Sequence, residues 1–388
     1  MPTIERIEGF ADELTAIRRD LHAHPEIGFE EQRTSGIVAD KLAQWGIEVH
    51  RGLGGTGVVG VLKGNGNGSK RIGLRADMDA LPMEENTNLP WRSTIPGRFH
   101  GCGHDGHTTI LLGTARYLAE TRNFDGTVHF IFQPAEEGLG GARAMLKDGL
   151  FERFPCDEIY GIHNAPDLKH GELVISPGPS MASADFFDIT ITGFGAHGAM
   201  PERSRDPVVI AMNLGQALQS IVSRNVDPLH AAVLSITQIH AGSAYNVIPN
   251  EATLAGTVRT FDQPTRMQIR ERMKTIAAGM AQAFGVEIKV EIRDIFSVLI
   301  NSDEHSKVVF DVARTVLDPK NVAIKETPRM GSEDFADMLL AVPGAYFWLG
   351  HDGSVPVHNP GFTLDDKILP VGASMFARIV ETRLPVSA

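Results

Sequence analysis

Apolar residues at Ile4, Ile7, Phe10, Leu14, Ile17 and Leu21 recur every three or four positions, which predicts an amphipathic helix over residues 4 to 22. A second helix is expected over 30 to 45. The pattern then changes. Apolar runs at 58–62, 72–76, 128–132 and 159–163 are strand-length and bounded by Gly, Asp or Pro. Helical stretches near 107 to 121 and 139 to 148 lie between some of them. Strands alternating with helices predict an α/β layer with a mainly parallel sheet.

Residues 184 to 293 follow another pattern. Phe187, Ile189 and Ile191 alternate with Asp188, Thr190 and Thr192, the mark of a strand with one solvated face. Asp206-Pro207 opens a helix, with a capping residue followed by proline at the first turn. Strands are expected near 231 to 239 and 252 to 260, a helix from about 264 to 284, and a strand from 286 to 293. The order β-α-β-β-α-β predicts a ferredoxin-like unit. The α/β pattern resumes after it, with Ser332 as the cap of a helix over 333 to 340 and a strand over 345 to 349. The expected organisation is a discontinuous catalytic α/β domain, residues 1–182 and 295–388, interrupted by an inserted domain, residues 183–294.

The chain has 388 residues, enough for about two or three domains. Its formal net charge is −12, with no basic run, which argues against a nucleic-acid partner. An anionic substrate would need a local arginine. Two cysteines, Cys102 and Cys156, are too few for a disulfide framework and fit a reducing compartment. No apolar run approaches the ~18 residues of a membrane span. A cytoplasmic location, without membrane association, is expected. Gly52-Leu53-Gly54-Gly55-Thr56-Gly57 matches a dinucleotide fingerprint, but a strand-like run follows it where that motif needs a helix, so nucleotide binding is set aside.

The chemistry concentrates at 100 to 107, His100-Gly101-Cys102-Gly103-His104-Asp105-Gly106-His107. A thiolate and a neutral imidazole two residues apart are ligands for borderline metals such as zinc. Gln133-Pro134-Ala135-Glu136-Glu137-Gly138 ends one apolar strand, and Gly161-Ile162-His163-Asn164 another. His358 lies in a late loop, and Arg75-Ala76-Asp77-Met78-Asp79 ends a further strand. One Cys, three His and one Glu could hold two metals with a bridging ligand, leaving one glutamate over. A leftover carboxylate is what metal-assisted hydrolysis needs as a proton carrier. Consecutive residues in extended chain face opposite ways, so Glu136 and Glu137 should differ in task. Chemistry alone leaves open which is base and which is ligand.

These segments, with Leu21-His22-Ala23-His24-Pro25-Glu26, Gly195-Ala196-His197-Gly198-Ala199-Met200-Pro201, Asn246-Val247-Ile248-Pro249, Gly331-Ser332-Glu333-Asp334-Phe335 and His358-Asn359, resemble the hippurate hydrolase-like amidohydrolases. That group is a branch of the metal-dependent aminoacylase and carboxypeptidase superfamily. The resemblance implies a metal-bridging Cys102, with His104, Glu137, His163 and His358 as further ligands to two divalent ions, zinc or manganese, with nickel or cobalt as alternatives. It implies Glu136 as general base and Asp79 as a group orienting a ligand. It implies that His197 reaches a neighbouring subunit's site to bind substrate or oxyanion, and that Asn246 and Arg259 hold the substrate carboxylate. The expected reaction is amide cleavage of small N-acyl or N-aroyl amino acids by a homodimer or dimer-based oligomer. A metallo-exopeptidase acting on dipeptides uses the same machinery. A ligand-binding protein on an inactive hydrolase scaffold is the reading from another class. A serine amidase is set aside, since no Gly-x-Ser-x-Gly is present.

Overall fold

The computed structural model describes residues 3–386. The chain divides into two compact units, one of Met1–Gly178, Ile300–Thr327 and Asp334–Ala388, the other of Pro179–Leu299 and Pro328–Glu333.

The first unit is built on an eight-stranded sheet: β1 (Glu48–Leu53), β2 (Gly57–Lys63), β3 (Arg71–Asp77), β4 (Thr127–Gln133), β5 (Glu158–Ala165), β6 (Leu173–Ile175), β7 (Val322–Ile324) and β8 (Gly344–Gly350). Their order across the sheet is β1-β2-β4-β3-β5-β8-β6-β7. The pairs β4–β3, β3–β5, β5–β8 and β6–β7 are parallel, while β1–β2, β2–β4 and β8–β6 are antiparallel. The sheet is mainly parallel, as the alternation of strands and helices predicts. Val58 to Phe132 pairs β2 with β4, and Asp77 to Gln133 brings the ends of β3 and β4 side by side. β4 and β5 are buried along nearly their whole length, so both faces of the sheet are covered.

The helices of this unit are α1 (Glu5–Glu8), α2 (Ala11–Ala23), α3 (Gln32–Gln44), α4 (His104–Thr121), α5 (Gly141–Lys147), α6 (Leu150–Arg153), α7 (Asp303–Val316), α8 (Phe335–Ala341) and α9 (Ile368–Arg383). α4 packs on β3 and against α2 and α9, and α5 packs on β4 and against α8. The core joins Leu14, Leu21, Ile72, Leu74, Ile110, Leu111, Phe130, Phe132, Phe347 and Phe376. Each large side chain buried there stabilises the fold by about 1.5–3 kcal/mol. Where one helix was expected over 4 to 22, the chain forms α1 and α2. Phe10 leaves the helical region (φ −124°, ψ 21°), which resets the axis while Ile7, Phe10 and Leu14 all stay buried. Gly52 to Gly57 turns β1 back into β2 as a hairpin, not a nucleotide loop.

The second unit is a four-stranded antiparallel sheet with two helices. Its strands are Ala184–Thr192, Ala232–Ala241, Glu251–Thr260 and Glu287–Phe296, and its helices Pro207–Arg224 and Gln263–Phe284. In sheet order the second strand lies at one edge, then the third, the first and the fourth, the ferredoxin-like arrangement the sequence predicts. Asp206 caps the first helix through the Val208 amide at 2.9 Å. A separate two-stranded ribbon pairs Val247 with His197 and Ile248 with Ala196. Among the described residues no helix is long and apolar enough to cross a membrane.

Candidate metal and catalytic site

In parallel strands the carboxyl ends fall along one edge, where open α/β sheets place ligands. β3, β4 and β5 end there in Asp77, Gln133 and Ala165, and each runs straight into residues singled out by the sequence. Asp79 follows β3, Glu136 and Glu137 follow β4, and His163 lies near the end of β5. α4 begins at His104, with Gly103 ahead of it in the left-handed region (φ 85°). No side chain fits at Gly103, because a Cβ there would stand 2.5 Å from Asn164 Nδ2. This close approach brings Cys102 against β5.

The structure gathers the predicted ligands into overlapping triads. Cys102, His104 and His163 offer donor atoms within 4.8 Å of one another, and so do Cys102, Glu137 and His358. Cys102 is common to both. A third group, His104, Glu136 and Glu137, sets the second carboxylate beside the same cluster. Glu136 is buried.

The imidazoles are oriented by their outer nitrogens. His104 Nδ1 donates to Asp79 Oδ1 at 3.3 Å, and His104 Nε2 is buried without a hydrogen-bond partner. His163 Nδ1 donates to the carbonyl oxygen of Asn164 at 2.6 Å, and its Nε2 faces Cys102 Sγ at 3.4 Å. A hydrogen bond at Nδ1 fixes the tautomer that leaves Nε2 with a lone pair, the arrangement found behind metal-bound histidines. His358 Nε2 stands 3.2 Å from Glu137 Oε1. The orphaned His104 Nε2, the shared thiol and the nearby carboxylate fit a pair of borderline cations.

The electrostatics agree. Burial pushes the Cys102 thiol up, and Glu137 adds to this while His104 pulls against it. Hydrogen bonds to Cys102 and Glu137 push His358 up to about 10. The same negative field that favours a proton on His358 favours a metal cation in its place. Burial opposes charge on His104, but Asp77 and Cys102 outweigh it and raise the group well above the usual range.

Of the six non-glycine residues with positive φ among the described residues, two lie at the site, Ala135 (φ 53°) and His358 (φ 63°). Such residues cost about 1–3 kcal/mol each and concentrate at functional sites. His358 is anchored by its amide, which donates to Gly101 O at 2.8 Å.

The remaining histidines of the region have other partners. His107 Nδ1 donates to Asp77 Oδ1 at 2.7 Å and its Nε2 accepts the Asn164 amide at 2.9 Å. His22 lies between Asp105 at 2.8 Å and Glu85 at 3.3 Å, and His24 donates to Asp20 O. Two residues of the strand-end motifs to which the sequence assigns no role, Asn164 and Arg75, tie the site together. Asn164 Nδ2 donates to Cys102 O at 2.6 Å, and its Oδ1 meets His351 Nε2 at 3.1 Å. Arg75, fully buried, donates to Gln133 Oε1, Asp77 Oδ2 and Asp334 Oδ1 at 2.8, 2.7 and 3.1 Å. The signal for Arg75 was a lone arginine inside an apolar strand, which needs buried anions around it.

Of the residues predicted on the inserted unit, His197 and Asn246 meet on the two-stranded ribbon. The Gly198 amide donates to Asn246 O at 2.7 Å, and both side chains are exposed. Arg259 lies on the separate four-stranded sheet, half-buried, and donates to Val258 O at 3.2 Å and to the Thr257 hydroxyl.

A thiol, imidazoles and carboxylates gathered around buried Glu136, at the carboxyl edge of a parallel sheet, suit metal-assisted hydrolysis, and the comparisons with known proteins make the chain an amidohydrolase. It belongs to peptidase family M20/M25/M40, whose sequence profile matches residues 73–382. It is 45% identical to hippurate hydrolase of Campylobacter jejuni over 379 residues, 98% of each chain. It is 40% identical to N-acetylcysteine deacetylase of Bacillus subtilis over 374 residues, 96% of this chain and 97% of that one. The crystal structure of the Bacillus subtilis YXEP protein, a dinuclear metal binding peptidase from the M20 family, superposes with a TM-score of 0.84 at 35% identity, covering 97% of this chain and 99% of that one.

Proposed function

We propose that the protein is a binuclear metal-dependent amidohydrolase that cleaves the amide bond of N-acyl or N-aroyl amino acids to a carboxylate and a free amino acid. The observation that carries this reading is the sharing of Cys102 by two donor triads with Glu136 left beside them. Cys102, His104 and His163 would hold one divalent ion, and Cys102, Glu137 and His358 the other. Zinc or manganese suits this mixed set, with nickel or cobalt as alternatives. Such ions, when bound, acidify water and polarise a carbonyl.

Glu136 takes a proton from the attacking water as its oxygen bonds to the scissile carbonyl carbon. The C–N bond breaks as Glu136 delivers that proton to the amine nitrogen. Asp79 keeps His104 in the tautomer that presents Nε2. His197, Asn246 and Arg259 bind the substrate, His197 from a partner subunit, and Arg259 supplies the local positive charge that an anionic substrate needs on a chain of net charge −12. The strand Ala232–Ala241 supports a homodimer, because it is an open sheet edge with Val233 and Ile239 exposed. The protein acts in the cytoplasm on small substrates.

The acylamino-acid reading draws on the hippurate hydrolase and the N-acetylcysteine deacetylase, both near full length in the match. A dipeptidase reading is favoured by the peptidase with which the fold superposes. Assay of metal-free and metal-reloaded protein on N-benzoylglycine, N-acetyl amino acids and dipeptides separates them. Metal-dependent turnover highest on the acylated amino acids is expected. Preference for dipeptides favours the second reading, and absence of metal-dependent turnover on every substrate overturns both.

A further inference from the structure

The turn that carries Glu136 is held from outside by carboxylates on other elements. The Glu137 amide donates to Asp79 Oδ2 at 3.0 Å. The Ala135 amide donates to Glu31 Oε1 at 2.9 Å. Glu136 therefore sits between two backbone amides, each fixed by a side chain from elsewhere. The flanks of the loop are fixed as well: Gln133 Nε2 and the Ala142 amide both donate to Asp334, at 2.7 and 2.9 Å.

Glu31 is fully buried at the start of α3, and its other oxygen accepts the Thr56 hydroxyl at 2.5 Å. Its segment presses on the turn, since a Cβ on Gly28 would stand 2.9 Å from Ala135 Cα and Cβ. Ala135 needs such support because it is held at φ 53°, where an L side chain is strained. Burying a carboxylate costs free energy unless its oxygens are satisfied. Here one oxygen is spent on the residue preceding the base.

We infer that Glu31 is a positioning residue, whose hydrogen bond to the Ala135 amide keeps the strained turn in the conformation that aims Glu136. The inference deepens the amidohydrolase reading and rests on Glu136 as its base. What matters is reach, not charge. Glu31→Gln keeps the length and a carbonyl oxygen for Ala135, and its amide group can donate to Thr56. Glu31→Asp keeps the charge but is one methylene too short.

The two variants are to be compared in the metal-loaded protein by steady-state kinetics, metal content and amide hydrogen exchange of the 134–138 segment. Glu31→Asp should lose about 10- to 100-fold in kcat with KM little changed and metal retained, as expected for a misaimed group. Its Ala135 amide should exchange at least tenfold faster than in the wild type. Glu31→Gln should stay within about threefold of wild type in kcat and keep the protection. The reverse order, or equal kinetics and equal exchange in the two variants, overturns the proposal. Hydrogen exchange needs no substrate. Wild-type protein inactive on every substrate would therefore sink the amidohydrolase reading, while unchanged protection in Glu31→Asp would sink the role of Glu31.

Discussion

Asp79 meets His104 with one carboxylate oxygen and, with the other, accepts the backbone amide of Glu137. One side chain thus sets the tautomer of one candidate ligand and the main-chain position of another. Asp79→Ala removes both restraints at once. The expected result is a loss of about 10- to 100-fold in metal affinity, the usual consequence of deleting a partner behind a liganding histidine. Chelator competition measures it. Asp79→Asn should lie closer to the alanine variant than to wild type, because its amide group turns a donor toward either His104 or the Glu137 amide. Unchanged metal affinity in the alanine variant would detach Asp79 from the site.

Glu136 and Glu137 are neighbours with different expected tasks, and substitution separates them. Glu136→Gln should lower kcat about 10²- to 10⁴-fold, the range of general acid–base catalysis, with full metal content. Glu137→Gln should lower metal content as well as rate. Elemental analysis beside a kinetic assay decides between them, and Glu136→Gln protein with wild-type kcat would refute the base assignment.

Much of this arrangement was legible in the sequence because the liganding residue types sit where apolar strands end, and β3, β4 and β5 are long enough to register as strands. The inserted unit was legible for the same reason, its strands alternating over ten residues in Glu251–Thr260. Other features left weaker traces. β6 and β7 are three residues each, below the length at which alternation can be counted. α9 is buried almost all round, so it shows no polar stripe. Ser332 was expected to cap the helix beginning near 333, but α8 starts at Phe335. Asp334 occupies the cap position without capping, because its carboxylate is drawn to Arg75, Gln133 and the Ala142 amide. Partners that depend on chain segments far apart, such as Glu31 with Ala135 or Asn164 with Cys102, have no local pattern at all.

Arg75 neutralises Asp77 and Asp334 where all three are fully buried. Its loss would remove the guanidinium from both buried carboxylates, leaving Asp77 to His107 and Asp334 to Gln133 and the Ala142 amide. Arg75→Met should destabilise the fold by about 3–5 kcal/mol, the cost of breaking a buried pair from one side. Denaturant titration checks this. A smaller loss in an Arg75→Met/Asp334→Asn double variant than in Arg75→Met alone would locate the cost in the uncompensated charge.

Glu158 carries an acid-sensitive part of the stability. It accepts from Arg383 at 2.6 Å and lies 3.2 Å from His305 and 3.3 Å from Lys70. Burial raises its carboxyl, but the hydrogen bonds to His305 and Arg383 prevail and hold it down to about 2, against an ordinary 4.5. A lowered folded pKa means the charged form is the stabilised one. The contribution is fully present above pH ~4.5 and is lost as pH falls toward ~2. Glu158→Gln should therefore cost on the order of 2 kcal/mol at pH 7, with solvent screening allowed for. The gap between variant and wild type should close on acidification through that window. A gap independent of pH from 6 to 2 would show that packing, not charge, is what the variant loses.

His197 sits exposed on its ribbon, its Nδ1 accepting the Ala199 amide at 3.1 Å, so the ring's other nitrogen is the one available to a ligand. If that histidine completes the site of a second copy, two inactive variants should repair each other. His197→Ala has an intact base, and Glu136→Ala has an intact histidine. In a mixed dimer one of the two sites then receives both. Random exchange of subunits at equal concentration gives mixed dimers as about half of the population by mass action, with one competent site in each. About a quarter of wild-type kcat per subunit is therefore expected after mixing, against almost none in either variant alone. Recovery should appear at the rate of subunit exchange, followed by labelled protomers. Complete exchange without recovered activity would place His197 in the service of its own chain's site or of none.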